Sequence, residues 1–250
     1  MSTSHLLLDI EGTTCPITFV SKVLFPYAQA QLGGYLNAHH DEDEVKKLIQ
    51  NAWHEWRTDH DPTSQKLLQL QATKNKDHDH DAIANYLLHL IELDRKSTTL
   101  KDLQGRIWKQ GYASGAIQSE LYPEALNALK SWHAAGYKLA VYSSGSVTAQ
   151  QLLYEHTADG DVRHLFDNWF DTHTGPKKSS SSYSAIAEKL RTPPHHITFI
   201  SDNRAECDAA EAANLQTLFS LREGNPDQSP GHHRVIESLD QVLDAIQTRT

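Results

Sequence analysis

Near the start of the chain, in HLLLDIEGTTCP (residues 5–16), two acids follow an apolar run: Leu6, Leu7 and Leu8 read as the interior of a buried strand, and Asp9 and Glu11 come after it. Ionised carboxylates at such a place need partners, because an unpaired charge taken out of water is costly. Other groups that could do chemistry follow three further apolar stretches. Ser143, Ser144 and Gly145 come after YKLAVY, Lys177 comes after NWFDT, and Asp202, Asn203 and Glu206 come after HITFIS. Each has an ordinary explanation when taken alone. A Ser-Ser-Gly turn caps helices, a lone lysine is usually a solvated surface amine, and Asp202 would cap the helix that follows it. Taken together they form a kit: carboxylates for a hard divalent cation, hydroxyls and amides for phosphate oxygens, and an amine to neutralise the remaining charge. Magnesium fits such a set, since it takes oxygen ligands and keeps one or two carboxylates plus water and substrate phosphate. Phosphoryl transfer, which needs mainly positioning and charge stabilisation, is the matching chemistry.

The elements that must position these groups fall into two blocks. From about residue 20 to 117 no strand pattern interrupts a succession of helices. DEDEVKKLIQNAWHEW (41–56) offers Asp41 as N-cap with Glu44 three residues on, and sets Val45, Leu48, Ile49, Ala52, Trp53 and Trp56 on one face. Residues 81–95 and 100–115 repeat that periodicity, the latter ending at Gly115. The polar link TKNKDHDHD (73–81) reads as a solvated loop rather than a metal site, and HEW at 54–56 lacks the second histidine of a zinc-protease helix.

From residue 118 helices and strands alternate, the pattern of an open parallel sheet covered by helices. Helices are expected at 123–136, with Pro123 in the first turn, and at about 147–156, 182–190, 204–213 and 237–247; strands are expected at 137–142, 168–172, 196–201 and 215–221. The expected fold class is therefore α/β, a Rossmann-like parallel sheet with an inserted all-helical unit. The sheet domain comprises residues 1–19 and 118–250, and the helical domain residues 20–117. In such sheets ligands bind at the carboxyl ends of strands, where the strand order reverses.

Composition excludes several classes. At 250 residues, 38% hydrophobic and 22% charged, the chain suits a globular protein with a full core. The formal charge of -9 opposes extended contact with nucleic acid or an anionic membrane surface, which leaves small molecules as partners. No apolar stretch approaches the roughly 20 residues of a membrane span, and the first residues are too short and polar for a secretory signal, so a cytoplasmic protein is expected. Cys15 and Cys207 are too few for a disulfide framework and are expected as free thiols. Several of the 16 histidines are paired, His39 with His40, His195 with His196 and His232 with His233, but neighbouring histidines alone do not make a metal site.

The pattern Asp9-x-Glu11-x-Thr13, with Ser143, Lys177 and Asp202, resembles the haloacid dehalogenase superfamily of aspartate-nucleophile phosphatases. More closely, DIEGTTCPITFV, YSSGSVTAQQLLY, FDTHTGPKKSSSSY, ISDNRAECDAAEAA and LREGN are similar to the enolase-phosphatases of methionine salvage. The resemblance implies Asp9 as nucleophile and Glu11 as acid/base, the longer Glu marking this branch. It implies magnesium held by Asp9, Glu11 through its backbone carbonyl, and Asp202. Ser143, Ser144, Gly145 and Lys177 would hold the phosphoryl group, with Asn203 and Glu206 in support. The implied substrate is 2,3-diketo-5-methylthiopentyl 1-phosphate, enolised and then dephosphorylated by a monomer. The helical unit would be a cap, with Phe19 or Phe25 as candidates for meeting the methylthio tail, although such side chains are more often core. Two alternatives remain at this stage: a phosphatase of the same superfamily acting on another small phosphate ester, and a non-catalytic phosphate binder.

Overall fold

The structure is a computed structural model that describes residues 4–72, 79–93, 95 and 97–247. In chain order, β1 (His5–Leu8) and one helical turn, α1 (Ile17–Phe19), precede five helices, α2 (Phe25–His39), α3 (Asp43–Thr58), α4 (Pro62–Ala72), α5 (His80–Glu92) and α6 (Thr98–Ala113). Then come α7 (Ala125–Ala134), β2 (Lys138–Tyr142), α8 (Val147–Glu155), β3 (Asn168–Phe170), α9 (Ser180–Leu190), β4 (Ile197–Ser201), α10 (Arg204–Ala212), β5 (Gln216–Ser220), β6 (Arg234–Ile236) and α11 (Val242–Gln247). The chain separates into two compact units, Met1–Val20 with Gln118–Thr250, and Ser21–Ile117.

The first unit is built on a parallel sheet ordered β3-β2-β1-β4-β5-β6. β1 lies in the middle, with Leu8 paired to Val141 on one side and Ile200 on the other. Leu6, Leu7 and Leu8 are fully buried, which accounts for the unbroken apolar run: a central parallel strand is covered on both faces. Because β2 and β3 extend the sheet one way from β1 while β4, β5 and β6 extend it the other, strand order reverses at β1, and a crevice opens at its carboxyl end.

The second unit buries the apolar stripes of its helices against one another. Trp56 is at its centre, with its ring 5.1 Å from Trp53 and 4.9 Å from Tyr86, and its indole N–H donates to the Ser64 carbonyl at 2.8 Å. Asp59, at the end of α3, receives both of its oxygens' bonds from Arg95 Nη1 at 2.7 Å. Burial pushes the Asp59 carboxyl up, but the hydrogen bonds from Arg95 and the Asp61 backbone outweigh it and hold it at about 2.

Several boundaries differ from the sequence reading. α3 starts at Asp43 with Glu42, not Asp41, at the cap position and no side-chain cap; Glu44 is drawn instead to Arg106 Nη2 at 2.7 Å. Pro123 stands in a turn, and α7 begins at Ala125. The last helix is split: a 3-10 turn, Leu239–Gln241, leads into α11, and the Ser238 side chain caps that turn. β6 was not expected; three residues with Arg234 and Val235 exposed leave no periodic signal. Most of the 73–81 link lies outside the described residues, but Asp79 is the N-cap of α5, accepting from Asp81 N at 3.0 Å.

Because Trp56 joins stacking, burial and a buried indole hydrogen bond, Trp56→Ala should cost about 3–5 kcal/mol of stability in urea unfolding, and Trp56→Phe distinctly less.

Candidate active site

Loops at the carboxyl ends of β1, β3 and β4 bring Asp9, Lys177 and Glu206 into contact, and the loop after β2, with Ser143, Ser144 and Gly145, leaves the same end of the sheet. Asp9 follows β1 directly, and its backbone N–H donates to the Ile200 carbonyl at 2.9 Å, so the turn begins in register with β4. The turn then closes on itself: the N–H groups of Thr13, Thr14 and Cys15 all point at the Ile10 carbonyl. Gly12 takes φ +69, and a Cβ there would strike the carboxylate of Asp202 and the amide of Asn225. Glycine is thus required on two counts, backbone conformation and close approach. The Gly12 carbonyl accepts from Asn225 Nδ2 at 3.0 Å and Ser220 Oγ at 3.1 Å, which ties the LREGN segment to the turn after Asp9.

Lys177 is not the solvated amine that its lone position suggests. Its side chain is 9% exposed, and Nζ lies 2.7 Å from both Asp9 Oδ1 and Glu206 Oε2. Burial alone would lower its pKa, but the charges of Asp9 and Glu206 reverse the shift and keep it an ammonium. Three hydroxyls fix the backbone that carries it: Tyr183 donates to the Lys177 carbonyl at 2.7 Å, Ser182 to Pro176 at 2.8 Å and Tyr142 to Gly175 at 2.9 Å.

The acids outnumber this single cation. Asp202 is 7% exposed and makes no ion pair among the described residues; burial first, then the charges of Asp9 and Glu206, push it up to about 7. Glu206 is likewise raised to about 7 by burial and by Asp9. Glu11 is raised as well, by burial and then by Asp9, with Lys177 opposing. Asp202 does not cap α10; Asn203 does, accepting from Glu206 N at 3.3 Å. The Asp202 carboxylate is therefore left for something else. The surplus of buried carboxylate oxygens, and the room that Gly12 leaves beside Asp202, fit a hard divalent cation.

Across the crevice, Ser143 is buried and its Oγ accepts from Gly145 N at 3.2 Å, while Ser144 is exposed. The cap of α8 is the next serine, Ser146, accepting from Ala149 N at 3.3 Å. Ser143, Ser144 and Gly145 thus sit just ahead of a helix N-terminus, whose dipole and N–H groups favour anions.

Three supporting residues escaped the sequence reading. Ser201 Oγ lies 3.0 Å from Asp9 Oδ2 and 3.1 Å from Glu206 Oε2. Gln150 Nε2 donates to the Gly145 and Phe170 carbonyls, both at 2.8 Å, and Asp171 accepts from Val147 N at 3.2 Å. Ser201 was the most accessible to inference, since it precedes Asp202 at a strand end; the other two depend on which strands are neighbours. Phe19 is 2% exposed, a core residue, whereas Phe25 is 42% exposed and packs on Trp108 at 5.9 Å. Cys15 and Cys207 are buried free thiols.

Residues 3–214 match the family model described as haloacid dehalogenase-like hydrolase. The chain is 57% identical over 243 residues to "Enolase-phosphatase E1" of Parasynechococcus marenigrum (strain WH8102), covering 97% of this chain and 98% of that one. It is 53% identical to the protein of the same name in Prochlorococcus marinus (strain MIT 9313), covering 96% and 98%. Among solved structures, the UTR4 protein (unknown transcript 4 protein) of Saccharomyces cerevisiae superposes with a TM-score of 0.71 at 30% identity, covering 96% of this chain and all of that one. With the acids after β1 and β4, the buried lysine and the serine turn already gathered at one sheet end, these likenesses show that the chain belongs to the enolase-phosphatase branch of the haloacid dehalogenase-like hydrolases.

Proposed function

We propose that the protein enolises 2,3-diketo-5-methylthiopentyl 1-phosphate and hydrolyses its phosphate to give the acireductone 1,2-dihydroxy-3-keto-5-methylthiopentene in methionine salvage. The observation that carries this reading is Asp9, held between Lys177 at 2.7 Å and Ser201 at 3.0 Å beside a buried Asp202, in a chain 57% identical to an enolase-phosphatase.

In this reading Asp9 attacks phosphorus through a carboxylate oxygen and forms an aspartyl phosphate, which splits one hard displacement into two easier ones. Glu11 protonates the departing oxygen and then deprotonates the water that cleaves the acyl phosphate. Its raised pKa supports the first duty, because a carboxyl that keeps its proton longer is a better acid near neutrality. Lys177 and the Ser143–Gly145 turn hold the transferring oxygens, with Ser144 at the turn's exposed position, while Asn203 and Glu206 keep Lys177 and the start of α10 in place. Asp9, the Glu11 backbone carbonyl and Asp202 would hold magnesium, which when bound would neutralise charge at the phosphoryl group and acidify the carbon beside the substrate oxygens. Glu11 is also the base that this reading assigns to enolisation.

The helical unit Ser21–Ile117 takes the part of the family's cap domain. In this reading a monomer is the working unit. No helix among the described residues is long and apolar enough to cross a membrane.

Purified protein given the diketo phosphate and magnesium should show enol absorbance followed by phosphate release, and a chelator should abolish both. Phosphate release without an enol signal would instead indicate a superfamily phosphatase for another small ester.

Asp9→Asn should lower phosphate release about a thousandfold or more, as loss of a nucleophile does. Unchanged turnover would show that Asp9 is not the nucleophile.

The raised carboxyls also set a pH dependence. Asp202 and Glu206 titrate near 7 in the folded protein against about 4 unfolded, so their contribution to stability is fully present below about 4 and is lost as pH rises through about 7. Asp59 and Asp161, held at about 2, act below that window. In chelator, the urea midpoint should fall between pH 5 and pH 8, and Asp202→Asn should flatten that fall. Added magnesium should raise the midpoint more at pH 8 than at pH 5, since the cation takes the place of protons.

A further inference from the structure

Away from the crevice, the second half of α10 and the chain leading into β6 bring three more metal-ligating side chains together. Asp208, His232 and His233 each offer one ligand atom, and these atoms all lie within 4.8 Å of one another. We infer that they form a second metal site, separate from the catalytic carboxylates, for a borderline divalent cation such as zinc or cobalt(II), with water completing the coordination.

Burial and the outer hydrogen bonds favour a built site over a chance meeting of surface groups. The His233 side chain is wholly buried; its Nε2 lies 2.8 Å from Asp208 Oδ1, and its Nδ1 lies 2.8 Å from Thr217 Oγ1 on β5. A metal-ligating histidine places its second ring nitrogen on such an oxygen, which fixes the tautomer and aims the lone pair at the metal. Metal binding calls for the tautomer in which Nδ1–H donates to Thr217 Oγ1, so that a cation takes the place of the proton joining Nε2 to Asp208 Oδ1. His232 is held in turn by Glu211, one helical turn past Asp208, at 2.5 Å from Nε2. The two imidazoles stand 4.3 Å apart, centroid to centroid. Arg204, the competing cation, lies 3.7 Å from the other oxygen, Asp208 Oδ2, and leaves Oδ1 to the site. Imidazole nitrogens with one carboxylate oxygen suit zinc or cobalt(II) better than magnesium, and the approach from 2.8 Å to the spacing of ligands around a tetrahedral ion needs only small side-chain movement.

The test compares the full chain with His232→Ala and Asp208→Asn, both at partly exposed positions that tolerate change. After chelator treatment and dialysis, zinc is titrated in the presence of excess magnesium against a chromophoric chelator, and cobalt(II) is followed by its visible absorption. The wild type should bind one more equivalent of zinc than either variant, or bind that equivalent at least about tenfold more tightly, with cobalt absorption of tetrahedral intensity that the variants lack. Zinc taken up at the catalytic carboxylates or at other histidine pairs is common to all three proteins and cancels. Equal stoichiometry, affinity and cobalt spectrum in the three would overturn the site. Thr217→Val, which removes the oxygen behind His233 without opening a cavity, should weaken the extra equivalent about tenfold, and no change would show that the buried hydrogen bond plays no part.

Discussion

The buried ammonium of Lys177 is the constraint around which the sheet end is arranged. An amine at 9% exposure is costly unless anions surround it, and here two do, Asp9 and Glu206, each at 2.7 Å. The same contacts settle where the acids point. Asp9 Oδ1 is engaged by Lys177 and by the Ile10 N–H at 2.8 Å, while Oδ2 faces Ser201, so the carboxylate has one orientation rather than several. Rigid placement of a reacting group removes rotational freedom before the reaction begins, which is a large part of what a site of this kind contributes to rate. Glu206 holds the amine through its own 2.7 Å contact.

Holding the lysine is a task shared by distant parts of the sequence. Tyr142 from β2 and Ser182 and Tyr183 from α9 bind the backbone from Gly175 to Lys177, and Tyr183 packs edge-on against Tyr142 and Phe199. On the other side, Arg222 stacks on Tyr122 at 4.2 Å, pairs with Glu124 at 2.6 Å and donates to the Glu237 carbonyl, anchoring the segment whose Asn225 supports Gly12. The candidate site residues sit on loops that hydrogen bonds stitch to neighbouring strands and helices.

The parts that were legible in the sequence are those with a local signature. β1, β2, β4 and β5 are buried on both faces and so read as apolar runs, and the acids and serines could be assigned to strand ends because each follows such a run within a few residues. Partnership was not legible. That Lys177 pairs with Asp9 and that Ser201 stands between two carboxylates follow from strand order and register, which no window of sequence contains. β6 failed for the opposite reason: it is too short and too exposed to impose a pattern, and it exists because β5 offers it an edge. The cap of α3 shows tertiary pairing overriding a local motif, since Glu44 satisfies Arg106 instead of its own helix end.

β1 is both the first strand and a central one, and that carries a cost during synthesis. Its four residues pair on one side with β4, and Ser201, which touches Asp9, lies 192 residues further on. At roughly 5–20 residues per second, a ribosome needs about 10–40 s to supply that partner, during which the β4 edge of an apolar segment waits unpaired. The helical unit, whose helices bury their apolar stripes against one another, is synthesised in that interval. The contact between Asp9 and Ser201 is therefore a late event, reached only when both ends of the chain have met.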